Sequence, residues 1–133
     1  MSNHVLDSSA VLAMILDEPG GERVNRLLDE IDKRAEVKVA VSSVNWCEVL
    51  TRMRRTEIAL TGLELQEILA GVEVVPFDQT AAAQTAEFAT VSNALSLGDR
   101  ACLVLAASRD AAAWTADRVW ERMNLGVKLE MVR

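Results

Sequence analysis

The sequence predicts a three-layer α/β/α domain built on a mainly parallel sheet of about five strands. Three observations lead there. Apolar, β-branched runs alternate with helical patterns along the chain; the strands are apolar throughout rather than alternately; and Ser, Thr, Asp or Gly signals mark the junctions. The 133 residues suit one domain, expected to span 1–133. Half the residues are hydrophobic and 26% charged, and no charge block, repeat or Pro-rich stretch interrupts them, so the chain is expected to fold end to end.

Each element has a local reason. "HVLD" followed by "SSAVLAMILDEPGG" reads as a short strand, then a helix with Ser8 or Ser9 near its cap and a stop at Pro19-Gly20-Gly21. A second helix is expected over 21–35. "VKVAVSS" is a β-branched strand, and "VNWCEVLTRMRRTE" is a helix started by Ser42 or Ser43, repeating the first pattern. "TGLELQEILAG" has a Thr cap and a Gly stop, "VEVVPF" is a strand, and "DQTAAAQTAEFATV" is an alanine-rich helix starting at Asp78. "SLGDRACLVLAASR" is a helix apolar nearly all round and so buried; "AAAWTA" suits a buried strand, and "VKLEMV" a last one.

Composition narrows the function classes. The first residues, "MSNHVLDSSAVLAMIL", lack a basic segment and are interrupted by Asp7, so they fit neither a signal peptide nor a membrane span; a cytoplasmic protein is expected. Cys47 and Cys102 belong to no CxxC or Cys/His cluster and are expected to be reduced core thiols. A net charge of −6 argues against a general nucleic-acid-binding surface, but neutralising four acids with metal would leave the balance near zero. Neither GxGxxG nor GxxxxGK[ST] occurs, which leaves nucleotide-binding Rossmann and P-loop readings poorly supported.

In parallel sheets ligands bind outside the carboxyl ends of the strands, and four acids are expected there. Asp7 ends the first strand, and Glu48 lies early in the helix leaving the second. Asp117 follows the "AAAWTA" strand. Asp99 starts a helix that a short connection around Asp110 turns back antiparallel to that strand. Each has a purely structural alternative: Asp7 as a helix cap, Asp99 in a capping box with Ser96, Asp117 in a turn, Glu48 in an i,i+4 pair with Arg52. On the helical wheel Trp46, Val49, Leu50 and Met53 form the core face, with Glu48, Arg52 and Arg55 opposite. Convergence is what the separate alternatives leave unexplained. Clustered carboxylates repel, and an all-oxygen set suits a hard cation, Mg²⁺ or Mn²⁺. His4 is expected to be a strand-edge residue and not a ligand.

With these residues assembled, the chain resembles the PIN-domain ribonucleases, and most closely the VapC toxins of bacterial toxin–antitoxin pairs. The resemblance spans essentially the whole chain and rests on "VLDSSAVLAMILDEPG", "VSSVNWCEVLTRM", "LSLGDRACLVLAA" and "TADRVW" in that order. It places the family's acidic constellation on Asp7, Glu48, Asp99 and Asp117, with Ser9 and Thr115 as supporting polar residues. It implies a homodimer, a VapB-like antitoxin and an RNA substrate such as transfer RNA. Asp7, Asp99 and Asp117 are then expected to ligate metal directly or through water. Glu48 is a ligand or the base that orients the attacking water, and the product carries a 5′-phosphate.

Arg52, Arg55, Arg100 and Arg118 are candidate RNA phosphate contacts, with ion pairs to neighbouring acids as the alternative. Trp114 and Trp120 either stack on bases or fill the core. Two rivals remain. An α/β phosphohydrolase acting on small phosphoesters is disfavoured because "DSSAV" lacks the second acid of the dehalogenase signature and no late Lys matches receiver domains. A non-catalytic PIN-like partner-binding module is disfavoured because all four acids are present.

Overall fold

The structure, a computed structural model, describes residues 2–88 and 94–133. Among these, β1 (Ser2–Leu6), α1 (Ser8–Ile15), α2 (Gly21–Lys33), β2 (Val37–Ser42), α3 (Ser43–Met53) and α4 (Gly62–Ile68) come first. They are followed by β3 (Glu73–Val75), α5 (Gln79–Phe88), α6 (Leu97–Ser108), β4 (Ala112–Thr115), a 3₁₀ turn over Arg118–Arg122 and β5 (Leu129–Met131). Residues 89–91, the expected end of the helix starting at Asp78, lie outside the described residues.

The strands form one sheet in the order β3-β2-β1-β4-β5, every pair parallel. A parallel sheet needs crossovers, and the helices supply them on both faces. Period-two alternation sorts the strand side chains between two cores. Leu6, Val39 and Trp114 join residues of α1 to α4, including Val11, Val24, Val49 and Leu65; Val5, Ala40 and Ala113 meet Cys102, Leu103 and Ala106 of α6. This is the predicted three-layer α/β/α arrangement.

Local chemistry explains the boundaries. The cap of α1 is Asp7 rather than Ser8 or Ser9, because its Oδ1 accepts the Ala10 N–H at 2.8 Å. Ser42 caps α3, whose helix stops at Met53, and the expected continuation to residue 57 is a turn. Thr61 with Glu64, and Ser96 with Asp99, close full capping boxes. At the α1–α2 junction Gly20 has φ +93° and lies against the Val132 carbonyl, so a side chain is excluded there by backbone and by space.

Two expectations are corrected. His4 lies on β1, the central strand, not at an edge; its Nδ1 accepts from the Trp114 indole N–H at 3.0 Å, and burial lowers its pKa. Cys47 is exposed while Cys102 is buried. The buried stripe of α3 runs Asn45, Val49, Met53, and this turns Cys47 and Thr51 outward. Among the described residues no helix is long and apolar enough to cross a membrane.

Candidate active site

The four acids reach the carboxyl edge of the sheet by four routes. Asp7 follows β1 directly. Asp117 stands two residues beyond β4. Glu48 is carried by α3, which starts where β2 ends. Asp99 sits in the first turn of α6, brought back to the edge because only residues 109–111 separate α6 from β4.

Asp7 is 3% exposed, the most enclosed of the four. Its Oδ1 accepts from Ser9 Oγ at 2.7 Å as well as from Ala10, and its Oδ2 accepts from Thr115 Oγ1 at 2.6 Å. The two hydroxyls reach further. Ser9 Oγ accepts the Ala116 N–H at 2.9 Å and Thr115 Oγ1 accepts the Asp117 N–H at 3.0 Å, so the backbone bearing Asp117 is tied to Asp7 through both. Burial pushes the Asp7 pKa from 3.8 up to about 6 against the pull of these donors, and the charge of Asp99 adds to the rise.

Asp99 is half-buried, and its pKa is raised chiefly by burial, then by the charges of Asp117 and Glu48, while the Ser96 hydrogen bonds oppose the rise. Cys102, one turn further along α6, has its thiol pKa pushed up by burial and by Asp7, Asp99 and Glu48. The four carboxylates are therefore electrostatic neighbours. They do not close into a ready cage: among the described residues no three acidic, His or Cys side chains stand close enough to share one ion. Their own turns hold them apart, with Asp99 Oδ2 accepting the Ser96 N–H at 3.0 Å and Asp117 Oδ1 accepting the Val119 N–H at 3.0 Å.

Glu48 does not pair with Arg52 among the described residues. Its Oε1 accepts from Asn45 Nδ2 at 2.9 Å, and its carboxylate lies so close to Gly98 that a Cβ there would collide with both oxygens. Asn45 also donates to the Gly98 carbonyl at 3.1 Å. Neither residue stands out from the sequence. The available signals were a polar residue four before Val49 on the apolar stripe of α3, and a glycine inside a helix.

The arginines divide. Arg52 and Arg55 are exposed; Arg118 is exposed and meets Glu121 at 3.3 Å. Arg100 is partly buried and donates to the Thr85 carbonyl at 3.0 Å, strapping α6 to α5. Of the tryptophans, Trp120 is fully buried and Trp114 nearly so, packed against His4 with Arg23 over its ring.

Fold and edge together define a parallel α/β/α domain with four acids at the carboxyl ends of its strands. The chain belongs to the PIN domain family, whose model matches residues 4–125. Several solved structures share the fold. VapBC2 from Rickettsia felis, bound to a DNA fragment from its promoter, is 16% identical with a TM-score of 0.71, covering 97% of this chain and 98% of that one. DNA-bound VapBC from Salmonella typhimurium is 20% identical with a TM-score of 0.69 over the whole of both chains. VapBC-5 from Mycobacterium tuberculosis, a member of the VapBC family of toxin–antitoxin systems, is 23% identical with a TM-score of 0.59, covering 100% and 99%. No curated protein matches the chain in sequence.

Proposed function

We propose that this PIN domain, spanning residues 1–133, is the toxin of a type II toxin–antitoxin pair: a divalent-metal-dependent endoribonuclease. On this reading it acts in the cytoplasm as a homodimer and is held in check by a VapB-like antitoxin. The observation that carries the reading is the buried Asp7 carboxylate, held by Ser9 and Thr115 at the carboxyl edge of a PIN sheet beside Asp99, which in turn feels the charges of Asp117 and Glu48. The likeness to chains of VapBC complexes supports the toxin assignment and the antitoxin partner.

The donor set fits a hard cation. It is all carboxylate oxygen, and burial, with a smaller part from mutual repulsion, raises the pKa of Asp7 and Asp99, a penalty that a cation between them would offset. Asp7, Asp99 and Asp117 would hold Mg²⁺ or Mn²⁺, with Glu48 as a further ligand or as the base that orients water. When bound, such an ion lowers the pKa of water and offsets charge on the phosphoryl oxygens. The chain's own part is orientation. Ser9 and Thr115 fix the Asp7 carboxylate and the Asp117 backbone together, and the Ser96 capping box fixes Asp99. Arg52, Arg55 and Arg118 are exposed cations for RNA phosphates.

The test is cleavage of RNA by protein freed of any partner. Expected are activity with Mg²⁺ or Mn²⁺, its loss with chelator, and products bearing a 5′-phosphate. Full activity in Asp7→Asn or Asp99→Asn would sink the assignment.

A further inference from the structure

We propose that Asn45 is a positioning residue for the site: its amide grips the Glu48 carboxylate and the first turn of α6 at once, and so sets where Glu48 stands relative to Asp99. This rests on the ribonuclease reading above for its functional meaning, but the geometry stands by itself.

Asn45 is 1% exposed and shares its helical stripe with Val49 and Met53, both fully buried. Its Nδ2 has two hydrogens, and two acceptors take them: Glu48 Oε1 at 2.9 Å and the Gly98 carbonyl at 3.1 Å, the latter 53 residues away in the chain. Those bonds fix the orientation of the amide. They also leave its buried Oδ1 without a donor among the described residues. An aliphatic side chain would join α3 to α6 without burying an unused carbonyl. What it would lack is the NH₂ group that holds a carboxylate oxygen and a helix carbonyl together.

Gly98 completes the arrangement from the other side. The Glu48 carboxylate occupies the space that any side chain at residue 98 would need. Glu48 is thus held from one side by a hydrogen bond and admitted on the other by a missing Cβ. Asp99 is the next residue of that turn, so one amide registers both acids.

A double-mutant cycle separates positioning from packing. Wild type, Asn45→Ala, Glu48→Gln and the double variant are compared for RNA cleavage with Mn²⁺ and for Mn²⁺ binding by calorimetry. Asn45→Ala is expected to lower kcat about 10- to 100-fold, the range typical of residues that orient metal-site groups. RNA KM should stay within about threefold, since ground-state binding is not the interaction removed. In the Glu48→Gln background the same substitution should change kcat less than about twofold, because the residue acts through Glu48. Asn45→Leu is close in size and has no donor hydrogens; it is expected to give the same pattern and serves if the alanine variant does not fold. Equal losses in both backgrounds, or an unchanged kcat, overturn the proposal and leave the ribonuclease reading standing. If the wild type cleaves no RNA, that reading fails, and Mn²⁺ affinity decides. Weakening in Asn45→Ala that is absent from the Glu48→Gln background supports the proposal; unchanged affinity or no binding overturns it.

Discussion

Gly98 and Glu48 occupy one another's space: the carboxylate of Glu48 lies where a Cβ on residue 98 would have to be. The obstructed atoms are the end of a flexible side chain rather than backbone, so Gly98→Ala should fold. Alanine inside a helix is favoured over glycine by up to about 1 kcal/mol, so the denaturation midpoint should hold or rise. Cleavage should fall about 10- to 100-fold because Glu48 is displaced. Stability by urea unfolding alongside kcat checks both halves, and a fall in both together would refute this account.

The raised pKa of Asp7 makes a stability prediction for the metal-free protein. The carboxyl ionises near 3.8 when free of the fold and near 6 within it, so the folded state holds this proton more tightly. Its contribution to stability is complete below about pH 3.8 and is lost as pH rises through about 6. Asp7→Asn carries no charge to bury. Its carbonyl can keep the Ala10 and Ser9 bonds while Thr115 turns its hydroxyl to Ser9 Oγ, 3.3 Å away. The variant should match wild type near pH 4 and become more stable by up to about 3 kcal/mol above pH 6, a shift of roughly two pKa units. Chemical denaturation across pH with chelator present measures this, and a gap that narrows with rising pH would contradict it.

Thr115 offers a test of the hydroxyl links. It is fully buried, donates to Asp7 and accepts from Asp117. Thr115→Val keeps the shape and removes both bonds, which should cost about 1 to 3 kcal/mol. Losing a donor to the carboxylate should also raise the Asp7 pKa further, moving the acid limb of the cleavage profile to higher pH. An acid limb unchanged from wild type would show that the hydroxyl does not tune Asp7.

The arginines separate by salt dependence. Each RNA phosphate contact removed should lower the slope of log affinity against log salt by about 0.7 for single strands. Arg52→Ala and Arg55→Ala are expected to show this. Arg100→Ala should leave the slope alone and lower the melting temperature, because its guanidinium holds the Thr85 carbonyl. A reduced slope in Arg100→Ala, with melting unchanged, would reverse the assignment.

Much of the architecture was legible because it is written in local signals. The capping box at Ser96–Asp99, the Thr61 cap, the apolar strands and the turn at Pro19-Gly20-Gly21 each act within a few residues. The edge position of the four acids followed from topology alone. What was not legible lies across gaps between elements. Periodicity placed Glu48 opposite the core face of α3, but not beneath it an asparagine reaching Gly98. Arg100 follows a site acid in sequence, yet its partner is a carbonyl on a neighbouring helix. Cys47 read as core because its neighbours are apolar, whereas the buried stripe through Asn45, Val49 and Met53 leaves it outside. His4 read as an edge residue because strand order is invisible before the sheet is paired.

The placement of β1 at the middle of the sheet has a consequence for biosynthesis. Asp7 leaves the ribosome 108 residues before the hydroxyl that orients its second oxygen, which is followed two residues on by Asp117. A nascent or prematurely released chain that stops before β4 carries Asp7, Glu48 and Asp99 yet lacks Thr115, Asp117 and the strand that flanks β1 on that side. Translation therefore leaves the four-acid edge incomplete until β4 and Asp117 have emerged, and products that stop before them are left without it.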